Sequence, residues 1–266
     1  MFTDTLPAVV YHSLGGQSAD VWPLTGAWLL HLLAARIFDD MQDDEGLARP
    51  WMERGPLGAL PLGIAVLEAA SLCLTHMTEQ GATLRDLLQA LSRTGMQAAR
   101  AQAYEPQYDL SPRALEAYFD HIIATTGEVF ATGAWLGGRL YGADEPILCA
   151  LHTFGYNFGL QAAIMDDCLD VQPVVDGQGV SDLVNGRFRL PVLYAAAQVD
   201  HPIQPELLTR LQEPLSVTQA SEVMNLLEEM GAIDWSLHVA AVFREKAIAA
   251  LSSVPEPARS VLATYV

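Results

Sequence analysis

The sequence predicts an all-α protein, and three observations lead to this class. Hydrophobic residues make up 51% of the 266 positions and charged residues 17%, which suits a large core and excludes a disordered chain. Apolar runs rich in Leu and Ala, the residues of highest helix propensity, recur along the chain. Alternating runs of β-branched residues are scarce. We therefore expect one domain over residues 1–266, folded as a large helical bundle.

Six helical segments are predicted in chain order. They are residues 21–38, 57–77, 84–104 and 111–140, a segment that begins at Pro146, and residues 217–251. Pro56 stands at the start of the second segment, where proline suits a first helical turn. Ser111 and Pro112 form a typical N-cap and first turn for the fourth segment. Gly231 is expected to break the last segment.

The charge balance limits the partners. Lys plus Arg total 14 and Asp plus Glu total 32, so the formal charge is −18, and we expect no binding to nucleic acid. Lys246 is the only lysine, so a phosphate would be held by arginine or through a metal. Three cysteines lack zinc-type spacing, and no polybasic or lipidation signal is present. These features predict a cytoplasmic protein without a stable membrane anchor.

Two segments read D-D-x-x-D, and each one ends an apolar helical run. Their six carboxylates are Asp39, Asp40, Asp43, Asp166, Asp167 and Asp170. Residues three and four apart share a helix face, so each motif gathers several negative charges in about one turn. A solvated acidic face would have polar neighbours, but the residues before both motifs are mainly apolar. Clustered carboxylates suit Mg²⁺ that also contacts substrate phosphates, so we expect a magnesium site.

Further segments carry a resemblance to a known family. They are Gly15-Gly16, Gln97, Thr126 with Phe130, and D-L-V-N-G-R-F-R-L-P at residues 182–191, which is similar to D-L-x-x-G-K-x-T-L-P. With the two aspartate motifs, the chain resembles an atypical short member of the trans-polyprenyl diphosphate synthase (polyprenyl synthetase) branch of the class I isoprenoid synthases.

The resemblance implies the isoprenoid synthase fold, a helical bundle around a central cavity, and a homodimer. It also implies that the six aspartates bind three Mg²⁺ ions, which clamp an allylic prenyl diphosphate. Departure of pyrophosphate would leave an allylic carbocation, and an alkene acceptor would attack it while apolar walls exclude water. Asp44 would lie beside the ligands or in solvent. From helix spacing alone, Arg36 is expected to pair with Asp39 or Asp40, three or four residues further along the chain.

The chain departs from the family pattern in the basic residues that hold isopentenyl diphosphate. Family residues are replaced by Gln17, Ser18, Ala48, Thr125 and Ala163, whereas Arg49 and Arg187 keep the positive charge. Each lost charge-assisted contact would weaken diphosphate binding by roughly 1.5–3 kcal/mol. Arg93 and Arg100 share a helix face and could replace the missing cations, or could form surface salt bridges.

Three functions remain open at this point. The first is a prenyltransferase that uses isopentenyl diphosphate bound unusually, or a non-standard acceptor. The second is a terpene synthase on the same scaffold, acting on one prenyl diphosphate without isopentenyl diphosphate. The third is a non-catalytic partner subunit, which the intact aspartates argue against.

The resemblance also predicts the depth of the cavity. Ala34 and Ala35 precede the first motif and would leave the floor open, so that His31 and Trp28 stop the chain at C15 to C20 or longer. Phe154 and Phe158 share a face broadly with Asp166 and would form a cavity wall. The alternative is that all of these are ordinary core residues.

Overall fold

The computed structural model describes residues 5–42, 49–78, 81–104, 110–111, 113–170 and 181–266, without the side chains of residues 170, 181 and 182. The described residues form helices and connecting turns, and they include no strand. The α-helices are α1 Leu6–Ser13, α2 Val21–Gln42, α3 Pro56–Leu74, α4 Ala82–Ala103, α5 Ala114–Ile122, α6 Glu128–Tyr141, α7 Glu145–Asp170, α8 Ser181–Val184, α9 Leu190–Ala197, α10 Gln204–Arg210, α11 Val217–Glu229, α12 Ala232–Ala250 and α13 Ala258–Ala263. The all-α prediction is confirmed.

The predicted helix at residues 111–140 is interrupted within the bundle. A π-helical turn, Ile123–Gly127, joins α5 to α6. Such turns carry no clear sequence signal, and they often occur at functional sites. The break predicted at Gly231 is confirmed, because α11 and α12 are separated there by a residue with φ of +65°. Glycine tolerates this left-handed conformation better than any other residue.

Helices α6 and α7 pack closely in the centre of the bundle. A Cβ added at Gly155 would lie 2.4 Å from the carbonyl oxygen of Phe130, so the two backbones approach too closely for a side chain. Helix α12 packs on α7, and α1 packs on α6. This arrangement places α6 and α7 between outer helices.

Helix α3 packs chiefly against α2 and leaves much of its apolar surface exposed. Both α2 and α3 are long and apolar enough to cross a membrane by length and composition alone. That similarity is weak support for a membrane span, since core helices of soluble proteins share these properties.

Candidate active site

The first aspartate motif lies at the C-terminal end of α2. Asp39 is half-buried, and its Oδ1 accepts a hydrogen bond from Nε2 of Gln102 at 3.2 Å. Asp40 is 3% exposed. Its Oδ1 lies 3.2 Å from Nε of Arg36, and its Oδ2 accepts a hydrogen bond from Nε1 of Trp51 at 2.9 Å. The expected pairing of Arg36 with Asp39 or Asp40 is therefore confirmed for Asp40.

Asp39 and Asp40 thus have different surroundings. Both oxygens of Asp40 already contact protein donors, which does not suit the ligand role predicted for it. The physical reason is that consecutive residues differ by about 100° around a helix, so Asp39 and Asp40 cannot face the same space. Asp43 and Asp44 lie outside the described residues.

The second motif lies at the C-terminal end of α7. Asp166 is exposed and forms no hydrogen bond or ion pair with any side chain that the structure describes. Asp167 is half-buried, and its Oδ2 accepts hydrogen bonds from the buried phenol of Tyr118 and from the backbone N–H of Leu190, the latter at 3.4 Å. Asp170 ends α7, and its side chain lies outside the described atoms.

Contacts along α2 and α4 fix the direction of these two helices. A Cβ added at Gly95 would lie 3.8 Å from the His31 ring, and seven residues further along α4, Gln102 contacts Asp39. From the first contact to the second, the residue number increases on both helices, so α2 and α4 run parallel. The C-terminal ends of α2 and α4 therefore lie side by side.

Contacts along α5, α6 and α7 fix the remaining directions. A Cβ at Gly138 of α6 would meet Leu151 near the start of α7, whereas Tyr118 of α5 contacts Asp167 at the end of α7. Helix α7 therefore runs antiparallel to α5 and α6. Helix α6 is also antiparallel to α4.

An ion pair and a hydrogen bond show that α4 and α6 run antiparallel. Arg139 of α6 lies 2.7 Å from Asp86 near the start of α4. Further along α4, the hydroxyl of Thr94 lies 2.7 Å from that of Thr132. Together these directions bring the end of α2 and the end of α7 to the same end of the bundle.

The rings of Trp28, Phe130 and Phe158 form an aromatic layer. It lies below both motifs, that is, towards the N-terminal ends of α2 and α7. Trp28 is 2% exposed and contacts Phe130 edge to face, with ring centroids 6.2 Å apart. Phe130 in turn contacts Phe158 at 5.7 Å. Asp39 follows Trp28 by 11 residues and Asp166 follows Phe158 by eight, so the layer lies about 16 Å and about 12 Å below the two motifs.

Two residues predicted to line the cavity are placed differently. Ala34 is 1% exposed, so it does not border an open space, whereas its neighbour Ala35 is exposed on the face of Asp39. Phe154 is fully buried and stacks on Phe158, so it supports the aromatic layer from within the core. Phe130, noted only as a family residue, is the ring that joins Trp28 to Phe158.

The four predicted arginines lie at separate places. Arg49 is exposed beside Trp51, with its Cζ 6.0 Å from the ring centroid. Arg187 is half-buried three residues before Leu190, whose N–H contacts Asp167. Arg93 and Arg100 are exposed on α4, and neither contacts an aspartate of the described parts of the motifs. The two alternatives for Arg93 and Arg100, replacement of the missing cations and surface salt bridges, both remain predictions, since no contact among the described residues decides between them.

Arg100 instead lines a cavity of about 800 Å³ between α4 and the α5–α6 region. Gln97, Tyr104, His121 and Glu128 are among its other lining residues. None of the motif aspartates whose side chains the structure describes lines this cavity.

Burial changes the pKa of one cysteine at the second motif. Burial, with a smaller contribution from the negative charge of Asp167, raises the pKa of Cys168 to about 11. The thiol is therefore protonated at neutral pH, and it suits packing rather than nucleophilic chemistry. All three cysteines are free.

No group of three His, Cys, Asp or Glu side chains gathers at metal-binding distance within the described ranges, which omit Asp43 and the side chain of Asp170. The described donors are nevertheless hard carboxylate oxygens at one end of the bundle, and such oxygens fit a magnesium ion.

Comparison with known structures defines the class of fold. Geranylgeranyl pyrophosphate synthetase from Pyrococcus horikoshii Ot3 matches with a TM-score of 0.88 and 21% identity, covering 98% of this chain and 83% of that one. The fold is thus the all-α isoprenoid synthase fold, as predicted.

The chain belongs to the polyprenyl synthetase family, whose model matches residues 27–230. It is therefore a prenyltransferase enzyme by family, as predicted. Heptaprenyl diphosphate synthase component 2 of Bacillus subtilis (strain 168) is 28% identical over 248 residues, which cover 88% of this chain and 68% of that protein. Geranylgeranyl pyrophosphate synthase from Corynebacterium glutamicum, in a crystal structure complexed with calcium and isoprenyl diphosphate, is 25% identical with a TM-score of 0.80 and covers 98% of this chain and 80% of that one.

Proposed function

We propose that this protein is a magnesium-dependent prenyltransferase that ionises an allylic prenyl diphosphate, releases pyrophosphate and couples the carbocation to an alkene acceptor. One observation carries the proposal: two helices with acidic ends reach the same end of the bundle, above a buried aromatic layer. Carboxylates so placed suit a metal-bound diphosphate. We propose that the prenyl chain lies between them and the aromatic layer.

The ligand set proposed for Mg²⁺ is narrower than the sequence predicts. Asp39, Asp43, Asp166 and Asp170 are proposed to bind the metal, with a carboxylate chemistry that fits it. When bound, Mg²⁺ supplies positive charge that stabilises the departing pyrophosphate. The calcium and isoprenyl diphosphate in the Corynebacterium glutamicum structure support a divalent cation and a diphosphate.

Asp40 and Asp167 are proposed to hold the motif helices in place. Each accepts hydrogen bonds from groups on other segments, Asp40 from Trp51 and Asp167 from Tyr118. These contacts fix the last turns of α2 and α7 and so orient the neighbouring Asp39 and Asp166. A preorganised ligand set loses less free energy on ordering when the substrate binds.

The walls are proposed to protect the cation. We propose that the prenyl chain passes the exposed Ala35, one turn before Asp39, and stops at the rings of Trp28 and Phe130. Aromatic faces attract cations, and the apolar surroundings exclude the water that would quench the intermediate. The proposed chain length is C15 to C20 or longer, with the layer at Trp28 as the stop.

Arg49 and Arg187 are proposed to bind diphosphate, Arg187 because its segment passes Asp167. The acceptor is proposed to be isopentenyl diphosphate or a non-standard alkene. Arg93 and Arg100 contact neither motif among the described residues, so the cationic site for a second diphosphate depends on few groups.

The functional unit is proposed to be a homodimer formed through α3. Its exposed apolar residues are Leu57, Leu60, Leu62, Ile64, Leu67 and Leu72. Small residues such as Gly63 face α2, where an added Cβ would lie 2.6 Å from the Phe38 ring. A helix that is apolar on nearly every side is stable when covered, and a second copy would cover it with a matching apolar face. The free cysteines suit the proposed cytoplasmic location.

The experiment that tests the function is an assay of product identity. The protein is incubated with Mg²⁺ and geranyl, farnesyl or geranylgeranyl diphosphate, with and without isopentenyl diphosphate. Longer prenyl diphosphates formed only with isopentenyl diphosphate would support the proposal in its simplest form. A hydrocarbon or alcohol formed without it would identify a terpene synthase. No pyrophosphate release with any substrate would contradict the proposal and would favour a non-catalytic subunit.

A further inference from the structure

A short 3₁₀ turn, Pro50–Met52, lies close to the first aspartate motif. Met52 is buried and packs with Ile37 of α2 and Ala59 of α3. The backbone N–H of Met52 donates to the carbonyl oxygen of Arg49 at 2.9 Å. The turn is therefore fixed between the two helices, and its position depends on ordinary core packing.

Trp51 makes the polar contact between this turn and the motif. Its indole N–H donates to Oδ2 of Asp40 at 2.9 Å, and Oδ1 of the same carboxylate lies 3.2 Å from Arg36. Asp40 is almost completely buried, and these two donors satisfy its carboxylate oxygens. The hydrogen bond thus ties the orientation of the indole ring to the turn of α2 that carries Asp39.

The face of the Trp51 ring contacts Arg49. Its guanidinium carbon lies 6.0 Å from the centroid of the Trp51 ring, at the limit of a cation–π contact, while the side chain remains exposed to solvent. A flexible side chain that is held near its bound conformation loses less freedom when a ligand binds. Because Ala48 is not basic, Arg49 has no basic neighbour in the sequence to share this task.

We infer that Trp51 is a positioning residue, which holds the Arg49 guanidinium for a diphosphate and fixes it relative to Asp39 through Asp40. The inference rests on the proposed function, since Arg49 is taken there as a diphosphate-binding group. Trp51 itself does not touch the substrate. It acts through the ring contact on one side and through the indole N–H on the other.

The test measures the binding of inorganic pyrophosphate in the presence of Mg²⁺ by titration calorimetry on the full chain. Trp51→Leu removes both contacts, and we expect an affinity about 2- to 10-fold lower, which corresponds to one side chain that must be ordered on binding. Trp51→Phe keeps a ring under Arg49 and loses the N–H donor, so its effect should be smaller. Trp22→Phe is the matched control, because Trp22 is largely exposed and lies at the start of α2, far along the helix from the first aspartate motif.

A double-mutant cycle with Arg49→Gln separates positioning from general damage. If Trp51 acts chiefly through Arg49, then Trp51→Leu lowers the affinity more in the wild-type background than in Arg49→Gln, where only the lost donation to Asp40 remains. An equal loss in both backgrounds, or no loss in either, would overturn the inference while leaving the proposed function intact. Should Trp51→Leu fail to fold, Trp51→Gln in the same two backgrounds gives the comparison, because glutamine removes the ring from Arg49 and keeps an N–H donor for Asp40. A wild-type protein that binds no pyrophosphate with Mg²⁺ would overturn the proposed function as well.

Discussion

Asp39 and Asp40 are neighbours in sequence, but their surroundings predict opposite responses to the same substitution. Asp40→Asn removes a buried charge that pairs with the exposed Arg36, so we expect a loss of about 1–3 kcal/mol of stability. Asp39→Asn relieves charge crowding at the motif and should leave stability unchanged or slightly higher. Thermal or urea unfolding of the two variants measures the difference. Equal destabilisation by both would contradict the separate roles.

A second pair of neighbours tests the depth of the cavity. Ala35 is exposed one turn before Asp39, so Ala35→Phe should fill that space and shorten the product or accepted prenyl chain. Ala34 is buried, so Ala34→Phe should instead overpack the core at a cost of about 1–3 kcal/mol. Mass spectrometry of the products, beside unfolding curves, distinguishes the effects. Unchanged chain length in Ala35→Phe would contradict the proposed floor.

The sequence predicted local contacts at the site and missed the distant ones. The pairing of Arg36 with Asp40 follows from helix periodicity and is confirmed. The hydrogen bonds from Trp51 and Tyr118 join segments far apart in sequence, so periodicity along one helix could not reveal them. A buried tryptophan or tyrosine predicts that its N–H or O–H has a hydrogen-bond partner, but the sequence alone does not show which residue that partner is.

Among the helices, the crossing of α6 and α7 depends on the absence of a side chain at Gly155. A Cβ there would lie 2.4 Å from a carbonyl oxygen and 2.9 Å from the Cα of Ala131, and backbone atoms cannot rotate away. We expect Gly155→Ala to cost about 1–3 kcal/mol as an overpacked contact. Unfolding measurements provide the check.

Gly26→Ala is the matched control for that substitution. Gly26 lies inside α2, and an added Cβ would find its nearest neighbour, the sulfur of Cys73, at an ordinary 3.6 Å. The higher helix propensity of alanine should therefore stabilise the protein by up to about 1 kcal/mol. If both alanine variants changed stability equally, the close approach of α6 and α7 would not be the cause.

Long helices with clear caps and periodicity were predictable, and shorter or irregular elements were not. The fourth segment illustrates the limit, because its apolar pattern continues through the π-helical turn Ile123–Gly127 without a break in composition. Helix α1 has only eight residues, too few for periodicity to stand out. The break at Gly231 was predictable because the left-handed backbone conformation strongly favours glycine.

For the whole molecule, the exposed face of α3 predicts association of two copies. Ile64 is 50% exposed on that face, and Ile64→Glu should convert a dimer to a monomer, because it places charge in an apolar interface. Val199→Glu is the control, since Val199 is 70% exposed outside α3. Sedimentation analysis distinguishes the two states. A dimer in the Ile64→Glu variant, or a monomeric wild type, would contradict the proposed interface.

The central claim is that the two acidic helix ends hold a divalent cation around a pyrophosphate leaving group. The most direct measurement is pyrophosphate release from allylic prenyl diphosphates as Mg²⁺ is added, in wild type and in Asp39→Asn and Asp166→Asn. We predict release that needs Mg²⁺, stops with a chelator, and falls by at least about 100-fold in each variant. Release that continues without a divalent cation, or that neither substitution reduces, would contradict the claim.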